Sequence, residues 1–209
     1  MLVKLGSGRL RKLVLATHNP HKVAEMQALL ADLPVAVVAA TAFPGVPDVE
    51  EDGETFQANA AKKAVAIADF IGEWTVADDS GLEVDFLQGK PGVYSARFAG
   101  DDATDAENNA KLLGLLKDVP WEKRQAQFRS VLAIVRPGKE PLFATGSCEG
   151  YIDFEARGFQ GFGYDPLFYV PNLGKTFAEL APGEKNRISH RAKAMEKGKE
   201  ILAQLLREC

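Results

Sequence analysis

The chain alternates between short apolar runs and longer stretches in which apolar residues recur every three or four positions. Residues 12–16, around Leu13, Val14 and Leu15, read as a buried strand. Asn19 followed by Pro20 then has the form of a helix start, with Asn as cap and proline at the first helical position, where its missing N–H is not needed. Val23, Met26, Leu30 and Leu33 carry an apolar stripe at helical spacing up to Pro34, and residues 35–39 form a second apolar run. A strand, a helix and a strand in succession predict a parallel pair and so an α/β fold. The turn-rich, acidic stretch 43–53 reads as a loop, and an alanine-rich helix over 55–71 is suited to close packing. A strand is predicted at 74–77, a turn at 78–81 and an alternating strand at 82–86. A third helix over 105–117 has Thr104 as its cap. Residues 125–135 and 141–152 alternate around a turn at 136–138, which predicts an antiparallel hairpin and makes the sheet mixed. A last helix covers 189–206. With no repeat and no linker, residues 12–209 read as one domain, the hairpin being the one part able to form a separate lobe, and residues 1–11 as a leader outside the core.

Composition narrows the class. With 209 residues, 46% hydrophobic and 26% charged, there is enough apolar material for one good core. No apolar run approaches the roughly 20 residues of a membrane span, so no membrane partner is expected. Lys4, Arg9 and Arg11 flank no apolar segment of signal-peptide length. Cys148 and Cys209 form neither a disulfide framework nor a metal-ligand spacing, which fits a reducing, cytoplasmic compartment. His18, His21 and His190 lack the company of a zinc cluster, so the metal to expect is hard and oxygen-bound. A net charge of −4 argues against a nucleic-acid partner. Basic residues nonetheless crowd the last quarter; Lys193, Lys197 and Lys199 fit an ordinary solvated helix face.

Five segments carry candidate chemistry. Thr17, His18, Asn19, Pro20, His21 and Lys22 lie between a strand end and a helix start, where free amides, the helix dipole and the Lys22 charge suit an anion; a plain connecting turn has the same form. Thr55, Asn59 and Lys63 form one polar line on the second helix, and Lys63 either meets an anion or extends along the surface to solvent. Asp78, Asp79, Ser80 and Gly81 follow a buried strand, where open α/β sheets bind ligands. Adjacent acids there point to opposite sides, so one faces a cleft. With Glu50 or Glu51 of the acidic loop it can hold a divalent cation that also meets phosphate oxygens, although the tetrad is equally good turn chemistry. Phe162, Gly163, Tyr164 and Asp165 offer a surface on which a base can stack, or a tight aromatic turn at the core edge. Lys185, His190 and Arg191 gather donors at the start of the last helix, with Ser189 as its cap.

In this order, and with the stretches Ala77-Asp-Asp-Ser-Gly-Leu82, Gly92-Val-Tyr-Ser-Ala-Arg97, Phe162-Gly-Tyr-Asp-Pro166 and Ile188-Ser-His-Arg191, the chain closely resembles the inosine triphosphate pyrophosphatase family from residue 13 to 206. The resemblance implies an elongated mixed-sheet α/β fold of two lobes with a nucleotide cleft between them, assembled as a homodimer. It also implies magnesium-dependent hydrolysis of ITP, dITP or XTP to the monophosphate and pyrophosphate, clearing deaminated purines from the nucleotide pool. Carried over by residue, Thr17 to Lys22 and Lys63 would hold the triphosphate, Glu50 and Asp79 the magnesium, and Ser80 the nucleotide. Asp79 would be the general base. Phe162, Gly163, Tyr164, Asp165, Lys185, His190 and Arg191 would form the base pocket, with Arg97 reaching the phosphates. His18 and His21 depart from the glycines or serine expected there. The rival readings are a related pyrophosphatase for pyrimidine or modified nucleoside triphosphates, a non-catalytic nucleotide-binding module, and a nucleic-acid binder using the basic terminal helix.

Overall fold

The computed structural model describes residues 10–208. Of the expected leader, residues 1–9 lie outside the described residues, and Arg11 opens strand β1, Arg11–Leu15. The cap expected at Asn19 is formed: its side chain accepts from the N–H groups of His21 and Lys22 at the start of helix α1, Pro20–Leu29. Strand β2, Val35–Ala39, returns parallel to β1 with Leu13 opposite Val37. Helix α2, Phe56–Ile71, is capped by Thr55 and ends at Gly72, whose φ of 75° a residue with a Cβ rarely adopts.

Strand β3, Trp74–Val84, corrects the predicted turn at 78–81, because it runs without a break through Asp78, Asp79, Ser80 and Gly81. It pairs in parallel with β1 from Trp74 to Val76 and antiparallel with strand β4, Gln125–Val135, along its length from Thr75. Acids that compose a turn in isolation stay extended here because cations and a hydroxyl meet the Asp78 carboxylate where it is buried. The predicted hairpin forms, with β4 followed by strand β5, Leu142–Ile152, inside the one sheet. Two short strands not anticipated, β6, Phe168–Val170, and β7, Lys175–Thr176, complete the seven-stranded order β2-β1-β3-β4-β5-β6-β7. The sheet is mixed, as expected.

Helices cover both faces. On one, α2 lays Ala60, Ala64 and Ala68 against Ala77, Val131 and Ala133, the small side chains allowing the close approach anticipated from composition. On the other, Met26 of α1 and Ala194, Met195 and Leu202 of helix α5, His190–Arg207, pack on Leu13, Leu15, Val76, Leu132 and Ile134. Gly146 of β5 is what lets α5 sit so low: a Cβ there would lie 2.3 Å from the His190 carbonyl oxygen. A further apolar cluster joins helix α3, Asp105–Leu115, to Leu82, Phe128, Phe168 and Phe177. Beside it the buried Arg124 donates to the carbonyls of Leu116, Val119, Ile152 and Asp153, satisfying the end of α3 where it meets the end of β5. Helix α4, Pro182–Ile188, was also not anticipated; it abuts the cap of α5 at Ser189.

Candidate active site

Strand β1 stops where Leu15 meets Val76, while β3 continues. Along the edge thus left without a strand neighbour opens a cavity of about 310 Å³. Its wall is drawn from the β1–α1 turn, the acidic loop before α2, the middle of β3, the loop before β6, and the junction of α4 with α5.

Because side chains alternate along a strand, Asp78 and Ser80 face α5 while Asp79 faces α2. On the α5 side, the fully enclosed Asp78 carboxylate meets Lys22 at 2.9 Å, Arg191 at 3.1 Å and the Ser130 hydroxyl at 2.6 Å. Burial alone would raise its pKa, but Arg191 and Lys22, with the Ser130 hydroxyl, hold it well below the usual carboxylate range. On the α2 side, Lys63 is buried rather than extended to solvent. Its ammonium bonds Glu51 at 2.6 Å and the Asp78 carbonyl at 3.0 Å, and lies 3.5 Å from Asp79. Burial raises the Asp79 carboxyl above its ordinary value, against the pull of Lys63 and Lys22, and its Oδ2 atom is enclosed without a hydrogen-bond partner. Glu51 is also partly desolvated, yet Lys63 outweighs that and lowers its pKa.

The acidic loop is pinned from two directions. Asn59 of α2 accepts from the Gly53 N–H at 2.7 Å and donates to the Gly53 carbonyl at 3.3 Å. Arg97 donates to the Glu51 carbonyl at 2.8 Å, and its guanidinium lines a neighbouring groove. The loop therefore presents Glu51 to the site, and Glu50, expected as the metal ligand, is exposed to solvent outside the cavity wall. Among the described residues no group of three or more His, Cys, Asp or Glu side chains stands ready for a metal. The orphaned Asp79 Oδ2 beside Glu51 does fit a hard cation that draws its remaining ligands from phosphate and water.

At the far end of the cavity, Lys185 bonds Asp165 at 2.6 Å and Glu25 at 2.9 Å, and the other Glu25 oxygen accepts from Arg191. Asp165 in turn accepts the Phe162 N–H at 2.9 Å, holding the aromatic loop in a turn. Gly163 is fixed through its N–H by Asp105 and through its carbonyl by Asn109, and the Tyr164 hydroxyl donates to the Ser95 carbonyl. His190 stacks on Phe128 with ring centroids 4.7 Å apart. Burial and the nearby Arg191 charge keep it neutral, well below the usual histidine pKa, and its Nδ1 has no partner. Arg191 spends four of its five N–H donors on Asp78, Ser80 and Glu25, and Lys185 two of its three. Each cation keeps one donor free of these bonds.

Of the residues singled out from sequence, Thr17, His18, Asn19, Lys22, Lys63, Asp79, Ser80, Phe162, Gly163, Tyr164, Asp165, Lys185, His190 and Arg191 all line this one cavity. Pro20 and His21 sit just behind it in α1, and Glu50 is outside. Glu25, Ser130, Asp105 and Asn109 were not singled out. Glu25 stands one helical turn beyond Lys22 on the same face, the one signal in the sequence that pointed to it.

The dITP/XTP pyrophosphatase of Desulforamulus reducens is 58% identical over 93% of this chain and 96% of its own length. Among solved structures, a HAM1 protein from Coxiella burnetii superposes with a TM-score of 0.85 at 46% identity, covering 93% of this chain and 100% of that one. The Staphylococcus aureus Ham1 protein does so with a TM-score of 0.83 at 39% identity, covering 93% and 99%. The model of the Ham1 family matches residues 13–201, and the chain belongs to that family.

Proposed function

We propose that this protein is a nucleoside triphosphate pyrophosphatase acting on dITP, ITP and XTP, releasing the monophosphate and pyrophosphate. The observation that carries the reading is the half-satisfied Asp79, raised in pKa by burial and set beside Lys63 and Glu51 in a cavity whose other end is a loop of fixed aromatic residues. Relatives bearing the name dITP/XTP pyrophosphatase support the choice of substrate.

In this reading the ammonium groups of Lys22 and Lys63 offset the charge of the triphosphate beside the β1–α1 turn. Asp79 and Glu51 would hold a magnesium ion, whose chemistry when bound is neutralisation of phosphate charge. Asp79 takes a proton from water, the water oxygen bonds to the α-phosphorus, and the bond from that phosphorus to the bridging oxygen breaks so that pyrophosphate leaves. A carboxyl whose pKa is raised by burial is better matched to that proton transfer than an ordinary one.

Base choice falls to Lys185, His190 and Arg191. Each of the two cations has one donor not engaged in the network, which suits the six-position carbonyl oxygen of hypoxanthine and xanthine and leaves the amino group of adenine facing a mismatched donor. The protein works in the cytoplasm as a homodimer in this proposal; no described helix is long and apolar enough to cross a membrane.

The test is product analysis with magnesium and, separately, ITP, XTP, GTP, ATP, dTTP and UTP, measuring pyrophosphate and orthophosphate independently. Pyrophosphate from ITP and XTP, with little from ATP, GTP or the pyrimidines, is the expected result. Orthophosphate would refute the cleavage position, a pyrimidine preference the pocket reading, and no turnover the catalytic role.

A further inference from the structure

His21 lies within the stretch expected to hold phosphate, but its side chain goes elsewhere. The imidazole stacks on Phe162, with ring centroids 5.4 Å apart and planes 16° from parallel. Phe162 lines the cavity and His21 does not, so the imidazole backs the ring from outside. None of the described hydrogen bonds or ion pairs uses the His21 ring, whereas the neighbouring His18 lies 3.8 Å from Asp48. What locates the imidazole is the aromatic contact.

The Phe162 backbone is already anchored by Asp165, and the next residue by Asp105 and Asn109, which leaves ring rotation as the freedom still to be removed. The Lys185 ammonium and the Arg191 guanidinium lie over the same ring, 5.2 and 5.7 Å from its centroid. His21 in turn is fixed at its backbone by the Asn19 side chain, and Asn19 borders the cavity at its phosphate end. One short path of contacts thus connects the turn at the phosphate end with the aromatic wall at the base end.

We propose that His21 is a positioning residue for base recognition, acting through Phe162 by holding its ring in the orientation on which a base stacks, and that its side chain has no part in holding phosphate. The proposal rests on the nucleotide reading of the cavity. A ring already fixed before the ligand arrives loses less conformational freedom on binding, so the benefit appears as affinity for the part of the ligand that touches the ring.

Two ligands separate the two ends of the site. IMP carries the base, and inorganic tripolyphosphate carries phosphate without one; both are titrated calorimetrically, with magnesium, into the wild type, His21→Ala and His21→Phe. An aromatic pair of ordinary strength corresponds to a loss of about two- to ten-fold in IMP affinity for His21→Ala. Tripolyphosphate affinity is expected to stay within about two-fold of wild type, and His21→Phe, which keeps a ring without imidazole nitrogens, to restore IMP binding. Equal weakening of both ligands, unchanged IMP affinity in His21→Ala, or failure of His21→Phe to rescue would each overturn the proposal. Absence of ITP turnover in the wild type defeats only the catalytic reading, because the comparison is one of binding; a wild type that binds no IMP defeats both.

Discussion

Asp79 combines two properties that pull in opposite directions. Burial beside other carboxylates raises its pKa, so its charged form costs stability at neutral pH, and that cost disappears as pH falls through the raised value. Asp79→Asn removes the charge and the base together. Turnover of ITP is expected to fall by about 10²- to 10⁴-fold while the melting temperature holds or rises. An active variant, or one that no longer folds, would count against the assignment. His190 gives the complementary case. The buried ring stays neutral while an unfolded histidine takes up a proton below its ordinary pKa of about 6.5, so stability is expected to decline as pH falls from 7 to 5. The slope from this one group is at most about 1.4 kcal/mol per pH unit. His190→Phe, which preserves stacking on Phe128, should remove that contribution from urea midpoints measured across the range. Sequence singled out both residues and could not reveal their protonation, which depends in each case on burial that only the assembled fold creates. It left Glu50 and Glu51 open for the same reason: neighbouring acids in a loop are distinguished only by the partners that Lys63 and Arg97 offer from distant parts of the chain.

At the scale of elements, what was legible followed from periodicity and caps. Asn19, Thr104 and Ser189 cap their helices as expected, Thr55 caps a helix it was expected to lie within, and the hairpin keeps the predicted alternation. What failed did so where tertiary partners override local composition. Asp78, Asp79, Ser80 and Gly81 look like a turn until Arg191 and Lys22 are brought beside them, and β6, β7 and α4 are too short to establish a period. The seat of α5 on β5 is more demanding than any cap. In Gly146→Ala the added methyl would lie 2.3 Å from the His190 carbonyl oxygen and 2.4 Å from the Ala194 nitrogen, backbone atoms that cannot rotate away. The helix must lift, costing about 1–3 kcal/mol in a chemical denaturation measurement. IMP affinity should fall with it, since His190 and Arg191 travel on that helix; a variant with unchanged stability and binding would show that α5 adapts.

Across the whole molecule, the site is a paired set of charges with one more carboxylate than cations. Asp78, Glu25 and Asp165 face Lys22, Lys185 and Arg191, and Lys63 separately holds Glu51 and Asp79. Such networks offset the desolvation of each member only when all are present. Because Lys63 already partners the two carboxylates proposed to hold magnesium, chelating divalent cations with EDTA should abolish turnover and leave the melting temperature within about 2 °C, a shift on the scale of a surface change. A large drop would mean that the metal carries part of the fold.

The same network sets a schedule during synthesis. Arg191 answers Asp78 across 113 positions of sequence and Glu25 across 166, so these acids leave the ribosome long before their cations do. A chain broken off before residue 185 holds every phosphate-end residue named here and neither Lys185 nor Arg191. Such a fragment should have no activity, and adding a separate peptide spanning 182–208 should restore some of it. The enzyme thus becomes competent only once residue 191 has been made and has joined the fold, and a product cut off before that point is expected to be inactive.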